Sequence, residues 1–400
     1  MALDLSGLRR QFPALDREWT FFDNAGGSQI LGTAIDRVVE FFTSSNVQLG
    51  GSYAPSVLAA ERVAAGSQAL ARWLGCDASE IIVGGSTTQL LANLALAMAP
   101  QLAAGDEVIV TNADHESNIG PWRRLPGVTV KEWRVDPETL LLRAEDLEPL
   151  LSPRTRLVCF TQASNIVGSV HDVAALTHLC HEHGAKVVVD GVAYAPHRRL
   201  PVREWGVDYY VFSLYKIYGP HLAAIYGRRE LLAGLAPINH FFIDELPSKL
   251  QPGHVPYELM PALPAVVDYL EALDFADVIA HETRLAARLL DFLRGLRGVR
   301  IHGAATASAA RVPTVSFSVD GRHASQIVRA VDAQRIGIKH GDFYARRLID
   351  ALGLGDRGGV VRASMVHYNT IEEVDRLIAA LASELCPKAA AIRPTAAPSG

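Results

Sequence analysis

The chemistry in this chain gathers where apolar strands run out. In "VFSLYKIYGPH" (211–221) a single amine, Lys216, stands between Tyr215 and Tyr218 just ahead of a Gly-Pro turn. An amine there either snorkels to solvent along its own stem or is kept dry. A dry amine has a lowered pKa and can attack carbonyls near neutral pH. The run "VVVD" sets the carboxylate of Asp190 at the mouth of another strand. Ligands of parallel sheets collect at the carboxyl ends of the strands, and only a short crossover and one strand separate Asp190 from Lys216. Their strand ends are therefore expected to be neighbours. The plain alternative makes Asp190 a helix cap and Lys216 its surface partner.

Two further stretches weigh against that alternative. "GGSTTQ" (84–89) follows an apolar strand and opens a helix, which brings Ser86, Thr87 and Thr88 to its first turn. Hydroxyls, free backbone N–H groups and the positive helix end make a seat for phosphate, although a Ser/Thr cap alone explains the same residues. "TNADHESN" (111–118) places His115 in a loop beyond another strand, where a flat ring faces the cleft or is simply solvated. A phosphate seat, an acid, a flat ring and a dry amine together suit pyridoxal 5′-phosphate. Lys216 would form the Schiff base with its aldehyde, and Asp190 would keep the pyridine nitrogen protonated so that electrons leaving a substrate carbon have a sink. His115 would stack on the ring and Ser213 would add a hydroxyl to the phosphate.

The elements that must position these residues alternate along the chain. Short β-branched runs, "EIIVGG" (80–85), "DEVIVTN" (106–112), "TRLVCFTQ" (155–162), "AKVVVDG" (185–191) and "VDYYVFSL" (207–214), are separated by helical stretches such as 88–99 and 172–183. This pattern predicts an α/β fold with a mainly parallel sheet covered by helices on both faces. After about residue 262 a long helical region (263–296) leads into "RVPTVSFSVDG" (311–321), a helix at 323–334, "GGVVRASMV" (358–366) and a last helix at 370–386. The expected organisation is an N-terminal segment (1–20) packing with the smaller domain, a large cofactor-binding α/β domain (21–262), a smaller α+β domain (263–386) and a disordered, Pro-rich tail (387–400).

Bulk properties narrow the function classes. At 400 residues, 49% hydrophobic and 20% charged, the chain has the composition of a globular protein. A net charge of −5 gives no reason to expect a nucleic-acid or anionic-membrane partner. The longest apolar runs are too short to span a bilayer, and the first residues lack the uninterrupted apolar core of a signal peptide. Four scattered cysteines, Cys76, Cys159, Cys180 and Cys386, suit a reducing cytoplasm. "THLCHEHG" (177–184) lacks a second pair of ligands to close a tetrahedral metal site, so no metal is expected.

At this level "FFDNAGGSQI", "DHESNIGPW", "ASNIVGSVHDV", "VVVDGVAYAPH", "DYYVFSLYKIYGP" and "VRASMVHYNTIEEVDRL" resemble fold-type I pyridoxal-phosphate enzymes of the class V aminotransferase and cysteine desulfurase group. The likeness runs over nearly the whole chain. It implies a seven-stranded, mainly parallel sheet and a homodimer with shared active sites. It also implies roles: Lys216 as the Schiff-base lysine, Asp190 as the pyridinium partner, His115 as the stacking ring, and Thr87, Thr88 and Ser213 as phosphate contacts. Asn165 is placed near the phenolic oxygen and the substrate carboxylate. Arg362 is placed as the fork that grips that carboxylate. His254, in "QPGHVP", is implied as a contributor to the neighbour's phosphate site. Apart from the resemblance, the glycine pair Gly50–Gly51 reads as an active-site loop with Tyr53 as a substrate contact, a plain loop aromatic being the alternative.

The departures carry the functional expectation. Desulfurases of this group hold a nucleophilic cysteine in a loop that here reads "RIGIKHGDFYARRL" (335–348), with Tyr344 where the thiol would stand. A tyrosine cannot carry sulfane sulfur as a persulfide. Tyr215 and Ala193 replace a histidine and a glutamine often found near the cofactor, so proton handling would fall to Gln162 or Tyr215. The expected activity is lysis at Cβ of a small α-amino acid, such as C–S cleavage, with Tyr344 as an acid/base. Transamination or epimerisation, or an idle cofactor-binding protein, are the alternatives.

Overall fold

A computed structural model describes residues 3–386. Its larger sheet has seven strands: Ile81–Gly84 (β1), Glu107–Thr111 (β2), Thr129–Trp133 (β3), Thr155–Thr161 (β4), Lys186–Asp190 (β5), Tyr209–Ser213 (β6) and Ala223–Gly227 (β7). Their order is β1-β7-β6-β5-β4-β2-β3. β7 runs antiparallel to both of its neighbours, and the strands from β6 to β3 are parallel. The five strands read from the sequence are all present, and β3 and β7 are additions. β3 is an edge strand whose Lys131 and Glu132 break the apolar run, and β7 ("AAIYG") is short and follows the Gly-Pro turn too closely to stand out.

Side chains alternate across this sheet as the pleat requires. Ile109, Val158, Phe160, Val187, Val189, Tyr210 and Phe212 face one core, shared with helices Ala54–Leu74 (α1), Val173–Glu182 (α3) and Ala262–Ala272 (α4). Val108, Val110, Leu157, Cys159, Val188, Tyr209 and Val211 face the other, shared with Thr87–Met98 (α2) and Trp122. Both faces are covered, so the strands read as continuous apolar runs and the first polar residue after each marks its end. Register aligns these ends: Thr161 pairs with Asp190, and Asp190 with Val211.

A second, antiparallel sheet contains Val299–His302 (β8), Thr314–Val319 (β9), Lys339–Gly341 (β10) and Val360–Ser364 (β11), in the order β10-β11-β9-β8. Phe275–Arg294 (α5), Ala324–Asp332 (α6) and Ile371–Leu385 (α7) share its core through Leu289, Val315, Phe317, Ile327, Val361 and Leu377. The long helical region expected over 263–296 consists of two helices. Asp274 accepts the Ala276 N–H at 2.8 Å and starts α5 afresh, because the capping carboxylate competes with continuation of α4. The N-terminal segment reaches this second sheet region: Thr20–Phe21 pairs with Ile336–Gly337, and Arg9 bonds the Tyr368 carbonyl and Glu373. The tail expected over 387–400 lies outside the described residues. No described helix is long and apolar enough to cross a membrane.

Candidate active site

A cavity of about 540 Å³ opens at the carboxyl ends of β4, β5 and β6. Thr87, Thr88, His115, Asn165, Asp190, Ser213, Tyr215, Lys216 and Tyr344 all line it. Residues widely separated in sequence are thus brought to one place by the common level of the strand ends.

Asp190 closes β5 with one oxygen accepting the Val192 N–H at 2.9 Å. The turn behind it is possible only for glycine, since a Cβ on Gly191 would lie 1.9 Å from the Tyr210 hydroxyl oxygen. Burial pushes the Asp190 carboxyl up to about 6, while the Val192 bond and the Lys216 charge pull it back. Lys216 ends a 3₁₀ turn after β6 and is 8% exposed, its amine 6.0 Å from the Tyr215 ring centroid and without a hydrogen-bond or ion-pair partner among the described residues. Burial and then Arg362 lower its pKa to about 8, against the pull of Asp190 and Asp23. A neutral amine is therefore accessible near physiological pH, and a bare carboxylate oxygen faces the same cavity.

The helix start beside them is equipped for an anion. Ser86 caps α2, its hydroxyl taking the Gln89 N–H at 3.2 Å, and the N–H groups of Thr87 and Thr88 belong to the first turn that has no intrahelical acceptor. Buried Thr87 places its hydroxyl 2.7 Å from that of Ser213. His115 Nδ1 accepts the Ser117 N–H at 3.1 Å, which fixes the ring's placement. Burial first, then Lys216 and Arg362, lower its pKa to about 4, so the ring is neutral at pH 7 and suited to stacking. Tyr215 stacks on His221 with centroids 4.8 Å apart, and burial raises its phenol pKa.

Arg362 is 2% exposed and sits behind the cavity rather than in its wall. Its Nη2 donates to Asp23 at 2.7 Å and its Nη1 to the Asn165 carbonyl at 3.0 Å, while Nε has no partner. The Phe343 ring lies 3.7 Å from the guanidinium carbon. Phe343 and Tyr344 belong to the turn after β10. Asn165 Nδ2 donates to the Phe343 carbonyl at 3.0 Å, and the Glu116 N–H donates to the Tyr344 carbonyl at 2.7 Å. The Tyr344 ring tilts over His115 at 5.1 Å and is 72% exposed.

Two expected residues do not reach this cavity. Tyr53 is half-exposed at the start of α1 with its ring folded over Gly51, and His254 is held 3.0 Å from the Gln48 amide and packs on Tyr257. Gln162 is also elsewhere: it accepts a hydrogen bond from Tyr210 on the far face of the sheet and does not line the cavity. His181 bonds Asp208 at 2.8 Å, and no cluster of metal-ligating side chains is gathered among the described residues. Cys159 and Cys180 are buried, Cys76 is partly buried and Cys386 ends α7, and the described cavity wall contains none of them.

Three residues escaped the sequence reading. Asp23 pairs with Arg362. Thr161 lines the cavity and pairs in register with Asp190. Asp114 braces the His115 loop, accepting from the Thr111 hydroxyl, from Asn118 at 2.7 Å and from the Thr161 N–H at 3.1 Å. Burial pushes its carboxyl up to about 7 despite those three bonds. Its place immediately before His115 was the available signal.

A dry amine and a carboxylate at adjacent strand ends, beside a hydroxyl-lined helix start, fit pyridoxal 5′-phosphate group for group, as in fold-type I enzymes dependent on that cofactor. Residues 20–377 match the family model for aminotransferase class-V, and the chain belongs to that family. It is 43% identical to the aminotransferase-like protein FGM3 of Gibberella zeae, covering 95% of this chain and 98% of that one. It is 34% identical to the cysteine desulfurase-like protein ustD of Aspergillus flavus, over 93% and 88% of the two chains. The crystal structure of the cysteine desulfurase CsdA from Escherichia coli superposes with a TM-score of 0.87 at 27% identity, over 96% of this chain and 99% of that one. The protein is a pyridoxal-phosphate-dependent enzyme.

Proposed function

We propose that this enzyme breaks a bond at Cβ of a small α-amino acid, C–S cleavage being the leading case, without capturing sulfur on a protein thiol. One observation carries the reading: the turn after β10 presents Tyr344, tilted over His115 at 5.1 Å, and no cysteine is among the described residues of the cavity wall. Thr87, Thr88 and Ser213 would hold the cofactor's phosphate, Asp190 its ring nitrogen and Lys216 its aldehyde, with His115 against the ring. Bound there, the cofactor supplies an electron sink for charge left on the substrate carbon. The Lys216 amine, free in substantial part near pH 8, removes the Cα proton. Arg362 and Asn165 orient the substrate through its carboxylate. Tyr344 would hand a proton to the group leaving Cβ. Loss of that group and of the Cα proton gives an unsaturated amine, which water converts to a keto acid and ammonia, with no redox partner needed.

Purified protein offered a panel of small amino acids should release keto acid with no amino acceptor present, and Cys386→Ser should leave turnover intact. Keto acid that accumulates only with an acceptor, leaving the cofactor aminated, would instead establish transamination. The aminotransferase-like relative favours that second reading.

The homodimer and a cytoplasmic setting belong to the same proposal. Ile35, Val39 and Phe42 lie exposed along one face of the helix Gly32–Ser44, with Val57 and Leu58 exposed at the start of α1. Such a face suits a second copy, towards whose cavity Tyr53 and His254 would then be turned. The division at 21–262 and 263–386 is likewise part of this reading. Light scattering after size exclusion tests the dimer.

A further inference from the structure

Arg362 is placed to bind a carboxylate, yet in this conformation nothing in the cavity can reach it. Two of its nitrogens are engaged by Asp23 and Asn165, and the third, Nε, is buried and unpartnered. What separates it from the cavity is the turn Asp342–Tyr344. Phe343 is 9% exposed and lays its ring 3.7 Å from the guanidinium carbon.

The turn that carries this ring is strained. Phe343 and Tyr344 both have left-handed backbones, with φ of 49° and 59°, a conformation that side chains with a Cβ adopt under strain. Gly341 leads into it with φ of 140°. Its backbone ties to the cavity wall are two, from Asn165 Nδ2 to the Phe343 carbonyl and from the Glu116 N–H to the Tyr344 carbonyl. Asn165 is bonded to both parties, its side chain to the turn and its carbonyl to Arg362.

We propose that Phe343 is a displaceable cap on Arg362, so that an α-carboxylate enters only when the Phe343 ring swings off the guanidinium. Phe343 thereby sets how strongly the enzyme selects carboxylate-bearing amines. The inference rests on reading Arg362 as the carboxylate site. A ring over a buried guanidinium forms a cation–π contact that an incoming carboxylate must break, which weakens apparent binding about twofold to thirtyfold.

The test uses the holoenzyme and two probes, glycine and methylamine, titrated against the cofactor's absorption band. Phe343→Ala should lower the glycine concentration at half-shift about twofold to thirtyfold and leave methylamine unchanged. Phe343→Leu, which keeps the bulk and loses the ring face, should fall between. Phenylglyoxal, mapped by peptide mass, should label Arg362 faster in Phe343→Ala than in the parent. An unchanged or weakened glycine curve in Phe343→Ala, with Arg362→Gln still losing its preference for glycine, overturns the cap alone. Arg362→Gln binding both amines as the parent does overturns the carboxylate reading and the cap together.

Discussion

The substitution Asp190→Asn separates what this carboxylate costs the bare protein from what it gives the loaded one. Burial raises the folded pKa from 3.8 to about 6. A raised carboxyl contributes stability that is fully present below the unfolded pKa and is lost as pH rises through the folded one. Relative to a side chain that never ionises, the loss is roughly 2 kcal/mol at pH 5 and roughly 3 kcal/mol at pH 7, from about 1.36 kcal/mol per pKa unit. Asparagine keeps the acceptor for the Val192 N–H but adds an unpaired amide donor, which costs about 1–2 kcal/mol at either pH. That offset cancels when the two pH values are compared. Cofactor-free Asp190→Asn should therefore gain roughly 1 kcal/mol relative to the parent between pH 5 and pH 7, read by urea unfolding. The loaded proteins should rank the other way, because the amide cannot hold a positive ring nitrogen. A variant whose difference from the parent is the same at both pH values, or moves against it as pH rises, refutes the claim that a desolvated carboxylate is the source.

Capture of pyridoxal 5′-phosphate by the cofactor-free protein should speed up as Lys216 loses its proton and level off above about pH 8, a rate still climbing at pH 10 being the contrary result. Thr87→Val removes the hydroxyl beside Ser213 and should weaken cofactor binding about tenfold, with Thr87→Ser restoring it; equal affinity in all three would remove Thr87 from the phosphate seat. Gly359→Ala places a Cβ 2.1 Å from the Gly341 carbonyl oxygen at a φ of 74°, so a loss of roughly 2–3 kcal/mol is expected in urea unfolding. A melt matching the parent's would show that the turn leading to Phe343 is slacker than described.

Asp190, Ser213 and Ser86 are the first polar residues after apolar runs in a sheet covered on both faces, and Lys216 and Thr87 follow within three residues, so all were legible as lining the cleft. Position along the chain alone then fixes position at the cleft. Arg362 could be read as a site residue but not as a covered one: its partner Asp23 lies at the other end of the chain, and its cap comes from a turn whose left-handed residues are not glycine. Tyr53 and His254 sit in loops placed by distant packing, where local pattern says nothing about direction. Gln162 was misplaced for a simpler reason. Tyr210, on the far face of the sheet, holds it away from the cavity. The break at Asp274 was hidden because apolar spacing continues on both sides of the cap.

β7 returns antiparallel to β6, so Lys216 stands in a hairpin rather than on the way into a crossover helix. The stem closes with Ser213 opposite Ala223 and the Leu214 N–H on the Leu222 carbonyl at 2.8 Å, and the Ser28 hydroxyl takes the Tyr218 N–H at 3.0 Å. The amine is thus moored between two paired strands of the larger sheet. Any give in the cleft is therefore expected on its opposite bank, where Phe343 and Tyr344 hold left-handed backbones, while the mooring stays as it is.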